Sequence, residues 1–234
     1  MLTEKIGQGG KWLLDRLVAL LSALRINPNF LTLLGFVINI FAAYCLAYGQ
    51  FLLAAAVIFL AGAMDMLDGA VARVTHTDSP FGAFFDSVID RYSDITLYLG
   101  LIIYFGRADR MEYVVLVGIC IMGSMMTSYT RARAESLIDA CKVGFLERPE
   151  RVVLLIIGTI FNRVEHVLWV IAILSNWTVI SRIFYTHREL GKVNIFLPMQ
   201  HTPSPAPPAA GDETVAAAEL PSGDEEPGHS SSDE

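Results

Sequence analysis

The chain has 234 residues, 53% of them hydrophobic and 18% charged, with a mean hydropathy of +0.48. The apolar residues come in long runs, which excludes an ordinary soluble domain and indicates a membrane protein; no nucleic-acid partner is expected. The net charge of −7 is misleading, because residues 211–234 hold eight acidic residues and no lysine or arginine, and without them the rest would carry +1.

Residues 1–26 read as a juxtamembrane segment. Leu13, Leu14, Leu17, Leu20, Leu21 and Leu24 fall on one helical side and Lys11, Asp15, Ser22 and Arg25 mostly elsewhere, as in a helix lying along a membrane surface. Asn27-Pro28-Asn29 then breaks the chain with helix-start chemistry, since asparagine caps and proline disfavours helix before it. Apolar runs follow near residues 31–48, 51–72, 88–105, 112–132, 151–161 and 165–184, which predicts an all-α membrane domain of six spans over residues 27–190. Only Tyr48-Gly49-Gln50 separates the first two runs, so they must form an antiparallel pair. A polar connection is predicted over 74–85, with Pro80 and Gly82 as punctuation and His76 as a solvated loop residue. Residues 191–234 shift to Pro, Ala, Gly, Ser and acids, a composition too poor in apolar surface to fold.

Basic residues are sorted by side. Arg107, Arg110 and Arg163 lie at one end of the spans and the other fourteen at the opposite end. The positive-inside rule therefore puts both termini in the cytoplasm, with the acidic cluster described next on the same side. Cys45, Cys120 and Cys141 build no disulfide framework, and residues 1–24 lack the features of a cleavable signal.

The segment from Asp65 to Asp90 reads DMLDGAVARVTHTDSPFGAFFDSVID. Asp65 and Asp68 are three apart and Asp86 and Asp90 four apart, so each pair projects from one helical face where two runs meet. Carboxylates at span ends are costly without a positive charge among them. An oxygen-only cluster suits magnesium or manganese, and magnesium usually shares its carboxylates with a substrate phosphate. Gly69 and Gly82 would let such a group approach the backbone, and Arg73 stands where it can take a phosphate oxygen. A structural ion-pair cluster or a cation-transport path would use the same residue types.

Asp65, Asp68, Gly69, Ala72, Arg73, Gly82, Asp86 and Asp90 together resemble the signature of the CDP-alcohol phosphatidyltransferases, integral membrane enzymes of phospholipid synthesis. The likeness extends to Asn-Pro-Asn-x-x-Thr at residues 27–32 and to the six-span layout. It implies two metal ions, Mg2+ or Mn2+, held by Asp65, Asp68, Asp86 and Asp90, with Asp90 also the base that deprotonates the attacking hydroxyl. It further implies that Gly69, Arg73 and Thr75 hold the nucleotide and phosphates of CDP-diacylglycerol, and that the enzyme is a homodimer in the cell membrane with a cytoplasmic active site.

The segments SYTRARAE (128–135) and ERPER (147–151) resemble the members that make phosphatidylinositol phosphate from inositol 1-phosphate. Ser128, Arg131, Arg148, Arg151 and Arg182 are the candidates to surround an acceptor phosphate, which a neutral alcohol would not require. Glycerol 3-phosphate, the acceptor in phosphatidylglycerophosphate synthesis, carries the same charge and is the alternative acceptor.

Overall fold

In the computed structural model, residues 16–22, 27–75, 77 and 79–196 are described, all helix and connection with no strand among them. A short helical segment covers 16–22, followed by α1 (Pro28–Ala47), α2 (Phe51–Thr75), α3 (Pro80–Arg107), α4 (Met111–Glu135), α5 (Arg148–Ile160) and α6 (Val164–Phe196). The expectations for His76, for residues 1–15 and 23–26, and for the tail from 197 onward lie outside the described residues.

The helix starts follow local chemistry. The Asn27 side chain accepts from the Asn29 amide at 3.0 Å, and Pro28 opens α1, where a missing N–H costs nothing. The Ser79 hydroxyl likewise accepts from the Gly82 amide at 3.0 Å ahead of Pro80. This cap starts α3 at Pro80, so the predicted connection over 74–85 shrinks to residues 76–79. The turn between α1 and α2 falls on Tyr48-Gly49-Gln50 as expected, and Gly49 takes a φ of 71°, a value that favours glycine. Helix α6 runs past the predicted boundary at 190 to Phe196.

The helices pack in a closed ring: α1 lies against α2 and α3, α3 against α4, α4 against α6, α6 against α5, and α5 against α2. The largest apolar cluster fills this ring with Leu46, Ile58, Leu101, Phe105, Val117, Leu168 and Ile171, all nearly inaccessible. A smaller cluster of Val18, Leu31, Leu67 and Val71 ties the segment 16–22 to α1 and α2, while Leu17 and Leu20 are exposed.

Among the described residues, four helical stretches are long and apolar enough to cross a membrane: Pro28–Ala47, Phe51–Thr75, Met111–Glu135 and Val164–Lys192. Helix α3 has the length, at 28 residues, but carries Asp86, Asp90 and Arg91 in its first half and Asp94 at its middle. Helix α5 has 13 residues, about 20 Å at 1.5 Å per residue, against a hydrocarbon layer of about 30 Å. At the end of the bundle away from the acidic cluster, Arg107 lies over the Tyr48 ring at 4.6 Å, and Arg110 pairs with Glu112 and Glu165. The three cysteines are free and buried.

At Gly100 the backbones of α1 and α3 come into close approach. A Cβ there would meet the Ala43 carbonyl oxygen at 2.4 Å and the Ala43 Cα at 2.9 Å, both rigid helix backbone. Gly100→Ala is therefore expected to lower the thermal midpoint in detergent, by a destabilisation of about 1–3 kcal/mol. Gly106→Ala, with nothing within 4 Å of its Cβ, should not. Equal midpoints for the two variants would contradict this packing.

Candidate active site

Helices α2 and α3 bring the signature carboxylates together. Asp65, Asp68 and Asp86 each offer an oxygen, and the three oxygens lie within 4.8 Å of one another. Asp68, 4% exposed, is oriented by Thr32 of α1, whose hydroxyl donates to its Oδ2 at 2.6 Å. Asp86 Oδ1 is buried with no hydrogen-bond partner among the described residues, an acceptor with nothing to satisfy it. Three hard oxygen donors with one lone pair unmet fit a divalent cation.

Asp90 stands apart from this trio and is joined to it by Arg148. The Arg148 Nη1 lies 2.9 Å from Asp65 Oδ2 and 2.9 Å from Asp90 Oδ1, and its Nε lies 3.6 Å from Asp94 Oδ1. This guanidinium supplies the positive charge that the grouped aspartates require. Arg148 lines the cavity predicted for the acceptor, and its donors point at carboxylates, partners the sequence did not indicate. Arg151 does the same. It is 3% exposed, and its Nη2 donates to Asp94 Oδ2 at 2.9 Å.

Two cavities flank the carboxylates. One, of about 230 Å³, is lined by Thr32, Asp68, Gly69, Arg73, Gly82 and Asp86 among others. A Cβ on Gly69 would meet only the Arg73 Nη1, at 3.5 Å, so the missing side chain keeps this space open. Thr75 sits beyond it, in the adjoining cleft with Asn27, Thr77 and Ser79, and its hydroxyl donates to the Val71 carbonyl at 2.8 Å. The residues expected at a nucleotide thus divide, with Gly69 and Arg73 in the first cavity and Thr75 in the second.

The other flanking cavity, of about 480 Å³, lies between α3, α4, α5 and α6 and has Asp86 and Asp90 in its wall. Ser128, Arg131, Arg148, Arg151 and Arg182, the five expected acceptor residues, all line it. Arg182 is 1% exposed and donates from Nε to the Val143 carbonyl at 2.9 Å and from Nη1 to the Thr127 carbonyl. Glu147 accepts from both Arg131 Nη1 at 2.9 Å and Arg182 Nη2 at 3.1 Å.

Sequence reasoning missed Thr32 as the partner of Asp68, and it missed Asp94 and Glu147 altogether. Asp94 continues the four-residue spacing of Asp86 and Asp90, a signal that was available. Glu147 gave no signal, because its partners lie 16 and 35 residues away.

Residues 25–185 match the family model described as CDP-alcohol phosphatidyltransferase. The archaetidylinositol phosphate synthase of Pyrococcus horikoshii is 36% identical over 188 residues, which cover 80% of this chain and 97% of that protein. The phosphatidylinositol phosphate synthase of Mycobacteroides abscessus is 31% identical over 179 residues, covering 72% of this chain and 81% of the relative. Among solved structures, the phosphatidylinositol phosphate synthase of Mycobacterium tuberculosis with CDP-DAG bound is similar with a TM-score of 0.69 at 27% identity, over 74% of this chain and 92% of that one. The same enzyme in complex with manganese and citrate gives 0.69 at 28% identity, over 74% and 88% of the two chains.

The buried Arg151–Asp94 pair generates a prediction. Removing one partner of such a pair typically costs about 3–5 kcal/mol, whereas replacing both with apolar groups is often neutral. Arg151→Met should therefore lower the unfolding midpoint in detergent more than the Arg151→Met/Asp94→Leu double variant does. A double variant less stable than the single would contradict the pairing.

Proposed function

Because the chain belongs to the CDP-alcohol phosphatidyltransferase family, we propose that it transfers the phosphatidyl group of CDP-diacylglycerol to inositol 1-phosphate, releasing CMP. The observation that carries a phosphorylated acceptor is the 480 Å³ cavity, which Arg131 and Arg182 line together with Asp90. A phosphorylated polyol would place its phosphate on the arginines and a hydroxyl toward the aspartate. Relatives named for archaetidylinositol phosphate and for phosphatidylinositol phosphate differ in lipid but share this headgroup, which supports the same acceptor here.

In this reading Gly69 and Gly82 admit the cytidine nucleotide between α2 and α3, and Arg73 takes a phosphate oxygen. Thr32 holds Asp68 in place for cation binding, and Asp65 and Asp86 complete the donor set, with Asp90 as a further ligand. Two Mg2+ or Mn2+ ions bound there would neutralise charge on the diphosphate and on the departing CMP. The Arg148 guanidinium, now shared between Asp65 and Asp90, marks where positive charge is needed in their absence. Asp90 takes the proton of the acceptor hydroxyl as its oxygen attacks the phosphorus bearing the diacylglycerol, and the bond from that phosphorus to CMP breaks.

The membrane arrangement follows from the same residues. The charged positions of α3 turn inward to the cavity, while Phe84, Tyr92, Leu99 and Ile103 are exposed, an apolar outer face suited to lipid. Val153, Ile157 and Ile160 give α5 a similar face. Six spans, a cytoplasmic active site and cytoplasmic termini fit this pattern and the charge bias of the loops, and a homodimer fits the family.

CMP release by purified protein with magnesium and CDP-diacylglycerol tests the reading. It should appear with inositol 1-phosphate and be absent with free inositol, and Asp90→Asn should abolish it. Preference for glycerol 3-phosphate would overturn the acceptor assignment, and full turnover by Asp90→Asn would overturn the base.

A further inference from the structure

Two consecutive residues at the start of α5 face opposite charge. Arg148 sits among carboxylates, and Glu147 sits among guanidiniums, its Oε1 shared by Arg131 Nη1 and Arg182 Nη2. The basic wall of the larger cavity is therefore already occupied by an anion that belongs to the chain.

Neither arginine depends on Glu147 for its position. Arg182 is fixed by the carbonyls of Val143 and Thr127, which orient it without neutralising its charge. Arg131 donates separately from Nε to Glu135 at 3.1 Å. Glu147, by contrast, has a side chain 43% exposed and makes no side-chain cap bond to the helix it precedes. It can turn into water at small cost, whereas Arg182, 1% exposed beneath it, cannot.

A carboxylate bridging two guanidiniums offers the same kind of acceptor oxygens as a phosphate monoester, with less charge: one negative charge against about 1.5 to 2 near neutral pH. Resting on the reading of this cavity as the acceptor site, we infer that Glu147 is a tethered stand-in for the acceptor's phosphate and determines specificity by competing for Arg131 and Arg182. A phosphorylated alcohol displaces it with a stronger anion. An uncharged alcohol cannot, because it would leave the buried Arg182 without a counter-charge and Arg131 with Glu135 alone.

The test is calorimetric titration of inorganic phosphate into the full-length protein in detergent, comparing the native chain with Glu147→Gln, together with the KM for inositol 1-phosphate and for CDP-diacylglycerol. Removing the competing charge should tighten phosphate binding at least about threefold. The acceptor KM should fall in parallel and the CDP-lipid KM stay unchanged. Phosphate binding that is unchanged, weaker or undetectable in the variant overturns the inference, since Glu147 would then be inert or would orient the arginines. Phosphate binding does not depend on turnover. Tighter phosphate binding without any CMP release from inositol 1-phosphate would overturn the acceptor reading and leave the stand-in in place as the lock on a phosphate site.

Discussion

Carboxylates that face one another inside an apolar bundle need a cation between them, and the placement of Asp65, Asp86, Asp90 and Asp94 makes this the constraint on which the rest of the structure depends. Desolvating an isolated charge costs several kcal/mol even after relaxation, so the five aspartates of α2 and α3, Asp68 included, cannot be accommodated by packing alone. Arg148 and Arg151 meet the requirement from the first turn of α5. That is also the physical reason for the position of α5. Its N-terminus must lie beside the carboxylates, and its packing against α2 and α6 closes the ring of helices at that point.

The same arrangement divides the site into three chemical regions. Small residues and two helix caps border the cleft between α2 and α3, where Asn27 and Ser79 fix the starts of α1 and α3 beside Gly69 and Gly82. Carboxylates form the centre, and arginines the far wall. The proposed reaction would ask for this order: an open edge for a nucleotide, a cation site at the diphosphate, a proton acceptor, and then an anchor for the acceptor's own charge. Glu147 and Arg148, adjacent in the chain, keep the acidic and basic regions neutralised from one short stretch of backbone.

Much of this was legible in the sequence. The aspartates and glycines carry a spacing that places them on facing helices, and the polar residues at the helix starts are those that cap. The sequence stopped short where an outcome depended on distant partners. Nothing in ERPER shows that Arg148 and Arg151 also pair with Asp65, Asp90 and Asp94, up to 83 residues away in the chain. The connection over 74–85 read as too long because its polar residues include the cap and first turn of α3, whose buried face begins only beyond them. The role of Thr32 was hidden for a similar reason, since its partner Asp68 lies 36 residues on.

The most direct test of the central claim, that these carboxylates form a divalent-cation site, is Mn2+ binding to the purified chain, followed by electron paramagnetic resonance without any lipid substrate. Saturable binding to the native protein, weakened at least about tenfold by Asp86→Asn in a chain that keeps its unfolding midpoint, is the expected result. Binding that is absent from the native chain, or that Asp86→Asn leaves unchanged, would contradict the claim and leave Arg148 and Arg151 as the cations the cluster requires.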